Sequence, residues 1–135
     1  MTTYIFPAVF RPEKVGGCSV EFPDLPGCVT EGDTLEQAVA MARDAMGLYL
    51  YSLEEDGETI PTASAPAAIH TEPGQFVSLV DVDMLAYRQK HDNRAVKKTL
   101  TVPAWLNAMA EASDINFSQA LQAALKERLG LADQQ

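Results

Sequence analysis

Cysteine and histidine are scarce in this chain: Cys18, Cys28, His70 and His91 are the full complement. Two thiols are too few for a disulfide scaffold, and their spacing to the two histidines is not that of a zinc site. Both cysteines are read as small buried hydrophobes. Long apolar runs are missing too. None approaches the ~20 residues needed to cross a bilayer. The opening MTTYIFPAVF has neither the basic region nor the long apolar stretch of a signal peptide, so a cytoplasmic protein with no membrane association is expected. There is no Gly-x-Ser-x-Gly elbow, no phosphate-cradling glycine loop and no histidine placed beside a cysteine, which leaves nucleophilic catalysis without support. No internal repeat or low-complexity tract occurs.

What is present is a globular composition, 47% hydrophobic and 21% charged over 135 residues, enough for one domain or two very small ones. Its charge is unevenly divided. Residues 1–95 carry fifteen Asp and Glu against six Lys and Arg, which accounts for the whole net charge of −9, whereas residues 96–135 hold four of each. Because an acidic surface repels nucleic acid, any segment that binds DNA or RNA is expected after residue 95. The same charge also serves solubility, and charge alone does not choose between the two.

Hydrophobic periodicity divides the first part into a meander and a helix. Residues 3–10 are aromatic and β-branched; Pro7 cannot donate to a ladder, so this strand is expected at an edge or with a bulge. Cys18, Val20 and Phe22 alternate with Ser19 and Glu21 and predict a second strand over 18–23, paired with the first through a polar turn. The turn Asp24-Leu25-Pro26-Gly27 leads to a third strand at 28–31. Thr34 and Gln37 form a capping box, after which Leu35, Ala38, Val39, Ala42, Met46, Tyr49, Leu50 and Leu53 recur at helical spacing. Gly47 costs about 1 kcal/mol against Ala inside that helix and so marks a close contact. A loop over 59–68, a fourth strand over 75–82 and a short helical turn at 84–87 follow.

Residues 88–94 have no apolar side chain and read as a linker. Beyond it, 97–102 alternates again. Pro103 opens a helix whose Leu106, Met109 and Ala110 share a face, and Asn116 caps a second helix closed by Gly130. The fold class expected is α+β: a β-β-β-α-β domain over 1–87, a linker over 88–95, and a β-α-α domain over 96–135. A lone strand with two helices cannot satisfy its own backbone or enclose a core, so the second domain is expected to pair with another copy as a homodimer or higher homo-oligomer.

Two chemistries are open at this point. Paired carboxylates among Glu21, Asp24, Glu31, Asp33, Asp81 and Asp83 suit Mg²⁺-assisted phosphoryl chemistry, but turns and helix caps favour Asp at several of these places anyway, and no spacing is diagnostic. Nucleic-acid binding has more behind it. Lys97, Thr99 and Thr101 project to one side of the strand, and two antiparallel copies make a ribbon that fits the major groove with those side chains toward base edges. The amides at the start of the last helix, around Asn116, Phe117 and Ser118, suit a backbone phosphate.

Two stretches now resemble one family. Phe22-Pro23-Asp24-Leu25-Pro26-Gly27-Cys28-Val29-Thr30-Glu31-Gly32-Asp33-Thr34, with the following helix and Gly57-Glu58-Thr59-Ile60-Pro61, is similar to the N-terminal domain of HicB-type antitoxins. Lys97-Lys98-Thr99-Leu100-Thr101-Val102-Pro103 through Asn116-Phe117-Ser118-Gln119-Ala120-Leu121 resembles a ribbon-helix-helix DNA-binding domain of the kind some HicB proteins carry. The resemblance implies a partial RNase H-like N-terminal fold and a toxin–antitoxin role without catalysis or cofactor. In that role the protein binds a HicA-type toxin, which has a double-stranded-RNA-binding-like fold and cleaves mRNA, and represses its own operon at operator DNA. Lys98 departs from the apolar residue usual at its place in such ribbons, and its long stem allows it to snorkel from the strand end. The alternatives to this reading are an RNase H-like metal-dependent nuclease using Asp24, Asp81 or Asp83, and a ribbon-helix-helix transcriptional regulator whose acidic domain senses a ligand.

Overall fold

A computed structural model describes residues 3–131. The chain is mixed α+β and divides into two compact units, Met1–Arg94 and Ala95–Gln135. The first unit holds β1 (Thr3–Pro12), β2 (Cys18–Glu21), β3 (Val29–Gly32), α1 (Leu35–Glu55), β4 (Phe76–Asp83) and α2 (Met84–His91); the second holds α3 (Ala104–Ala112) and α4 (Phe117–Arg128). The outermost residues of the two expected domains, 1–2 and 132–135, lie outside the described residues.

The four strands form one sheet in the order β3-β2-β1-β4, antiparallel at every pairing. Alternation along β1 sends Phe6, Ala8 and Phe10 to one face, where they join Val20 of β2, Val80 and Val82 of β4, and Ala38, Ala42, Met46 and Leu50 of α1 in a single buried cluster. The α1 members recur every four residues, the row a helix lays against a flat surface. Small Ala38 and Ala42 let the helix come close to the sheet, and at Gly32 a Cβ would lie 2.3 Å from the Ala38 nitrogen, so the end of β3 abuts the first turn of α1.

Pro7 occupies a more exact niche than an edge strand. β1 lies inside the sheet, but β2 pairs with it only over Val9–Pro12, whereas β4 pairs with it over Thr3–Phe10. At residue 7 the strand therefore has a neighbour on one side only, and a missing N–H toward the other side breaks no ladder.

Helix ends follow the expected chemistry. The Thr34 hydroxyl accepts from the Gln37 N–H at 3.1 Å, and the Gln37 side chain takes the Asp33 N–H. The Asp83 carboxylate caps α2 by accepting from the Leu85 and Ala86 amides. Asn116 caps α4 by accepting from the Gln119 N–H at 3.1 Å. Between α3 and α4 the chain turns through Asp114 at φ 56°, with Ile115 N–H bonded to the Ala110 carbonyl and Asp114 N–H to that of Glu111, the two bonds of a Schellman ending.

Two expectations need correction. The segment read as a linker from residue 88 begins inside α2, which runs to His91. Its lack of apolar residues reflects charge pairing: Arg88 reaches Glu54 at 3.2 Å and Glu55 at 2.8 Å while its guanidinium lies 4.6 Å from the centre of the Tyr51 ring. The helical turn expected at 84–87 is accordingly twice as long, eight residues. Secondly, residues 97–102 are in neither strand nor helix. A ladder needs a second strand, and the described residues of the second unit contain none.

Candidate functional site

In the first unit a groove of about 520 Å³ lies across the outer side of α1. Met41, Ala45 and Leu48 form its floor, Thr30 of β3 closes one end, and Tyr87 and His91 of α2 stand at the other, with Asp44 and Tyr51 beside them. Met41 and Leu48 are 41% and 58% exposed. The Tyr87 wall is set by Gly47: a Cβ there would come 2.5 Å from the ring, so the tyrosine rests directly on the helix backbone. His91 stacks on Tyr87 with ring centres 4.3 Å apart, and its Nε2 lies 4.0 Å from Asp44. Burial and the nearby Asp44 carboxylate raise the Tyr87 phenol above its usual range.

One end of this groove is tied to the chain that leaves the unit. Tyr51 donates to Asp92 at 2.8 Å, and Arg94 binds the same carboxylate through Nε at 2.8 Å and Nη2 at 2.9 Å. The Arg94 contacts, with the Tyr51 hydroxyl, hold Asp92 well below the ordinary carboxylate value. Arg88, followed by Arg94, lowers Glu55 in the same way. Cys28, buried beside the β2–β3 turn, has its thiol pushed up to about 11 by desolvation, the behaviour of an inert packing residue.

The acids considered for metal chemistry are dispersed among structural tasks. Glu21 pairs with Arg11 at 2.7 Å, Asp24 accepts from the Ser64 amide and hydroxyl, Asp81 accepts from Arg43 at 3.0 Å, and Asp83 caps α2. Glu31 and Asp33 are exposed, the latter at the entry to α1. Among the described residues no three His, Cys, Asp or Glu side chains are grouped so as to hold a metal ion.

In the second unit, Lys98, Leu100 and Val102 line an apolar groove together with Leu106, Ala110, Ile115, Phe117 and Leu121. Alternate residues of 97–102 thus share the groove side, and Lys97, Thr99 and Thr101 form the other set, all six being exposed. Asn116 spends its side-chain oxygen on the Gln119 amide, and Phe117 lines the groove, 43% exposed. Ser118 is exposed at the rim. Phe117 and Ser118 stand in the first turn of α4, where helix geometry provides their amides no partner within the helix. No helix among the described residues is long and apolar enough to cross a membrane.

The α1 groove escaped sequence reasoning. Its signal was a second apolar row, Met41, Ala45 and Leu48 at i, i+4 and i+7, beside the row that packs on the sheet.

The two units define a small α+β protein whose open apolar surfaces suit contact with other macromolecules. A family model described as the HicB_like antitoxin of bacterial toxin-antitoxin systems matches residues 6–125, and the chain belongs to that family. It is 36% identical over 98 residues to the "Uncharacterized 14.9 kDa protein in rep-hol intergenic region" of Haemophilus phage HP1, covering 70% of this chain and 71% of that protein. It is 43% identical over 56 residues to Antitoxin HicB 1 of Photorhabdus laumondii, a match spanning 42% of this chain and only 36% of that antitoxin. Among solved structures, a chain of the toxin–antitoxin complex from Streptococcus pneumoniae superposes with a TM-score of 0.61 at 25% identity, covering 94% of this chain and 99% of that one.

Proposed function

We propose that this chain is an antitoxin whose first unit binds and neutralises a HicA-type mRNA-cleaving toxin, and whose second unit pairs with another copy as a ribbon-helix-helix dimer that binds operator DNA and represses its own operon. The observation that carries the proposal is the pairing, in one family member, of a closed acidic unit with a charge-neutral unit whose own described residues leave an apolar groove open. An acidic unit complements a protein built to bind RNA, and a neutral one can approach a phosphate backbone. In the dimer, Lys97, Thr99 and Thr101 of each copy face base edges, and the first-turn amides of α4 around Asn116, Phe117 and Ser118 take a phosphate.

No catalytic step belongs to this reading; of the acids considered for one, Glu21, Asp24, Asp81 and Asp83 are engaged in pairing and capping. Co-expression of the full chain with the HicA-type toxin tests neutralisation: growth should be restored. A gel shift with the operon's upstream DNA tests repression, and a chain that does neither overturns the proposal.

A further inference from the structure

We infer that the groove across α1 is the surface on which the toxin docks, and that it receives a cationic, partly apolar face of that protein; the inference rests on the function proposed above. α1 already commits one row, Ala38, Ala42, Met46 and Leu50, to the sheet. Its second row is built to a similar pattern and faces outward, with Leu48 the most exposed member. Leu48 also borders a second shallow groove running toward the β2–β3 turn, lined by Gly27, Cys28, Val29 and Ser52 among others, so it stands as a ridge between two concavities. The far wall is preformed, since Tyr87 lies against Gly47 and His91 stacks on Tyr87, and an occupant need not order it.

Charge selects the occupant. α1 carries Glu36, Asp44, Glu54 and Glu55 against a single base, Arg43, and Arg43 is turned away onto Asp81. Asp44, on the groove wall, has His91 as its one ion-pair partner among the described residues, at 4.0 Å. Residues 1–95 hold the whole net charge of −9, so two copies of this unit meeting here would set acid against acid. A protein that binds RNA must present Lys and Arg, whose aliphatic stems suit Met41 and Leu48 and whose heads suit Asp44.

The test uses the full chain and the purified HicA-type toxin, with binding measured by calorimetry and the free antitoxin checked by thermal melting and sedimentation. Leu48→Glu and Asp44→Lys alter exposed positions and should leave the fold intact while weakening toxin binding at least roughly a hundredfold. Asp44→Asn should cost about tenfold at low salt and less as salt rises. Leu79→Glu, at a 58% exposed position that alternates with core Val80 on β4 and so faces away from α1, should bind as wild type. If the wild-type chain binds toxin and the two groove variants bind it equally well, the groove is not the docking surface, although the proposed function stands. If the wild-type chain does not bind toxin, both fall. If the groove variants change the oligomeric state of the free antitoxin, the groove is an interface between copies and the inference is overturned.

Discussion

The two units use similar side chains to opposite effect. In the first, a 21-residue helix lies on a four-stranded sheet, and Phe6, Phe10, Phe22, Leu25, Met46 and Leu50 are essentially without solvent contact. In the second, not one described residue is buried, and Leu100, Trp105, Met109 and Leu129 are each at least 60% exposed. A sheet lets a short chain cover its apolar face from within; two helices and an unpaired segment leave a groove for something else to fill. The first unit thus closes its own core, and on the function proposed above the second supplies half of a core that a partner copy completes.

Concentration breaks that comparison most severely. The first unit should melt at a temperature independent of dilution, while the second should unfold as its partner copy dissociates. Leu100→Ala should exaggerate the contrast. It removes a groove residue worth about 2–5 kcal/mol per buried copy, twice over in a dimer, and should abolish helicity of the tail and self-association together. Circular dichroism and sedimentation across a dilution series decide it; a tail that stays folded as a monomer would remove the ribbon-helix-helix proposal.

A second contrast lies within the 97–102 segment itself. Replacing Lys97, Thr99 and Thr101 with Ala changes only the side away from the groove, so the dimer and toxin binding should survive while operator affinity falls by more than about a hundredfold, each good base contact being worth roughly 1–3 kcal/mol. A gel-shift titration at fixed salt measures the loss. Retained affinity and sequence preference would move the reading face to the side of Lys98, which the structure places on the groove wall with Leu100 and Val102.

How much of this was legible in the sequence depended on whether the cause was local. Strand alternation in the first unit, the Thr34 and Asn116 caps and the Gly130 helix end are set by neighbours in the chain, and they stand within a residue or two of where pattern puts them. The reach of α2 to His91 was hidden because its stabilising partners, Glu54, Glu55 and Tyr51, lie more than thirty residues earlier, and a polar run looks like solvent until those partners are placed. Pro7 was half legible: the sequence states that a donor is missing, and only the staggered registers of β2 and β4 show where that is harmless. For the candidate site, Gly47 announced a close contact but not that Tyr87 makes it.

That contact yields a smaller effect, confined to the first unit. Gly47→Ala improves helix propensity by about 1 kcal/mol, but its methyl would meet the Tyr87 ring, and overpacking costs about 1–3 kcal/mol. A net loss of about 1 kcal/mol is expected in urea unfolding. In the background of Tyr87→Ala the same substitution should become stabilising, a coupling that a double-mutant cycle reads directly. Additive effects would show that Tyr87 does not rest on Gly47.

The smallest effect is a pH dependence at the exit from the first unit. Asp92 accepts hydrogen bonds from Arg94 and Tyr51, which lower its folded-state value below the ordinary 3.8. A carboxylate held lower in the folded state contributes stability that is fully present above its unfolded value and is lost as pH falls through the folded one. The loss should therefore begin below about pH 4 and continue downward, with none of it appearing between pH 5 and 8. Glu55 is lowered too, chiefly by Arg88, so the Asp92 share is isolated by comparison with Asp92→Asn. That variant should lose part of the acid slope in urea unfolding of the first unit and leave the melting of the second unchanged. It should also bring the Tyr51 phenol, raised chiefly by its bond to Asp92, back toward 10 in an ultraviolet titration. An unchanged acid slope together with an unchanged tyrosine titration would mean that the Tyr51–Asp92–Arg94 contacts do not hold the exit of this unit in solution.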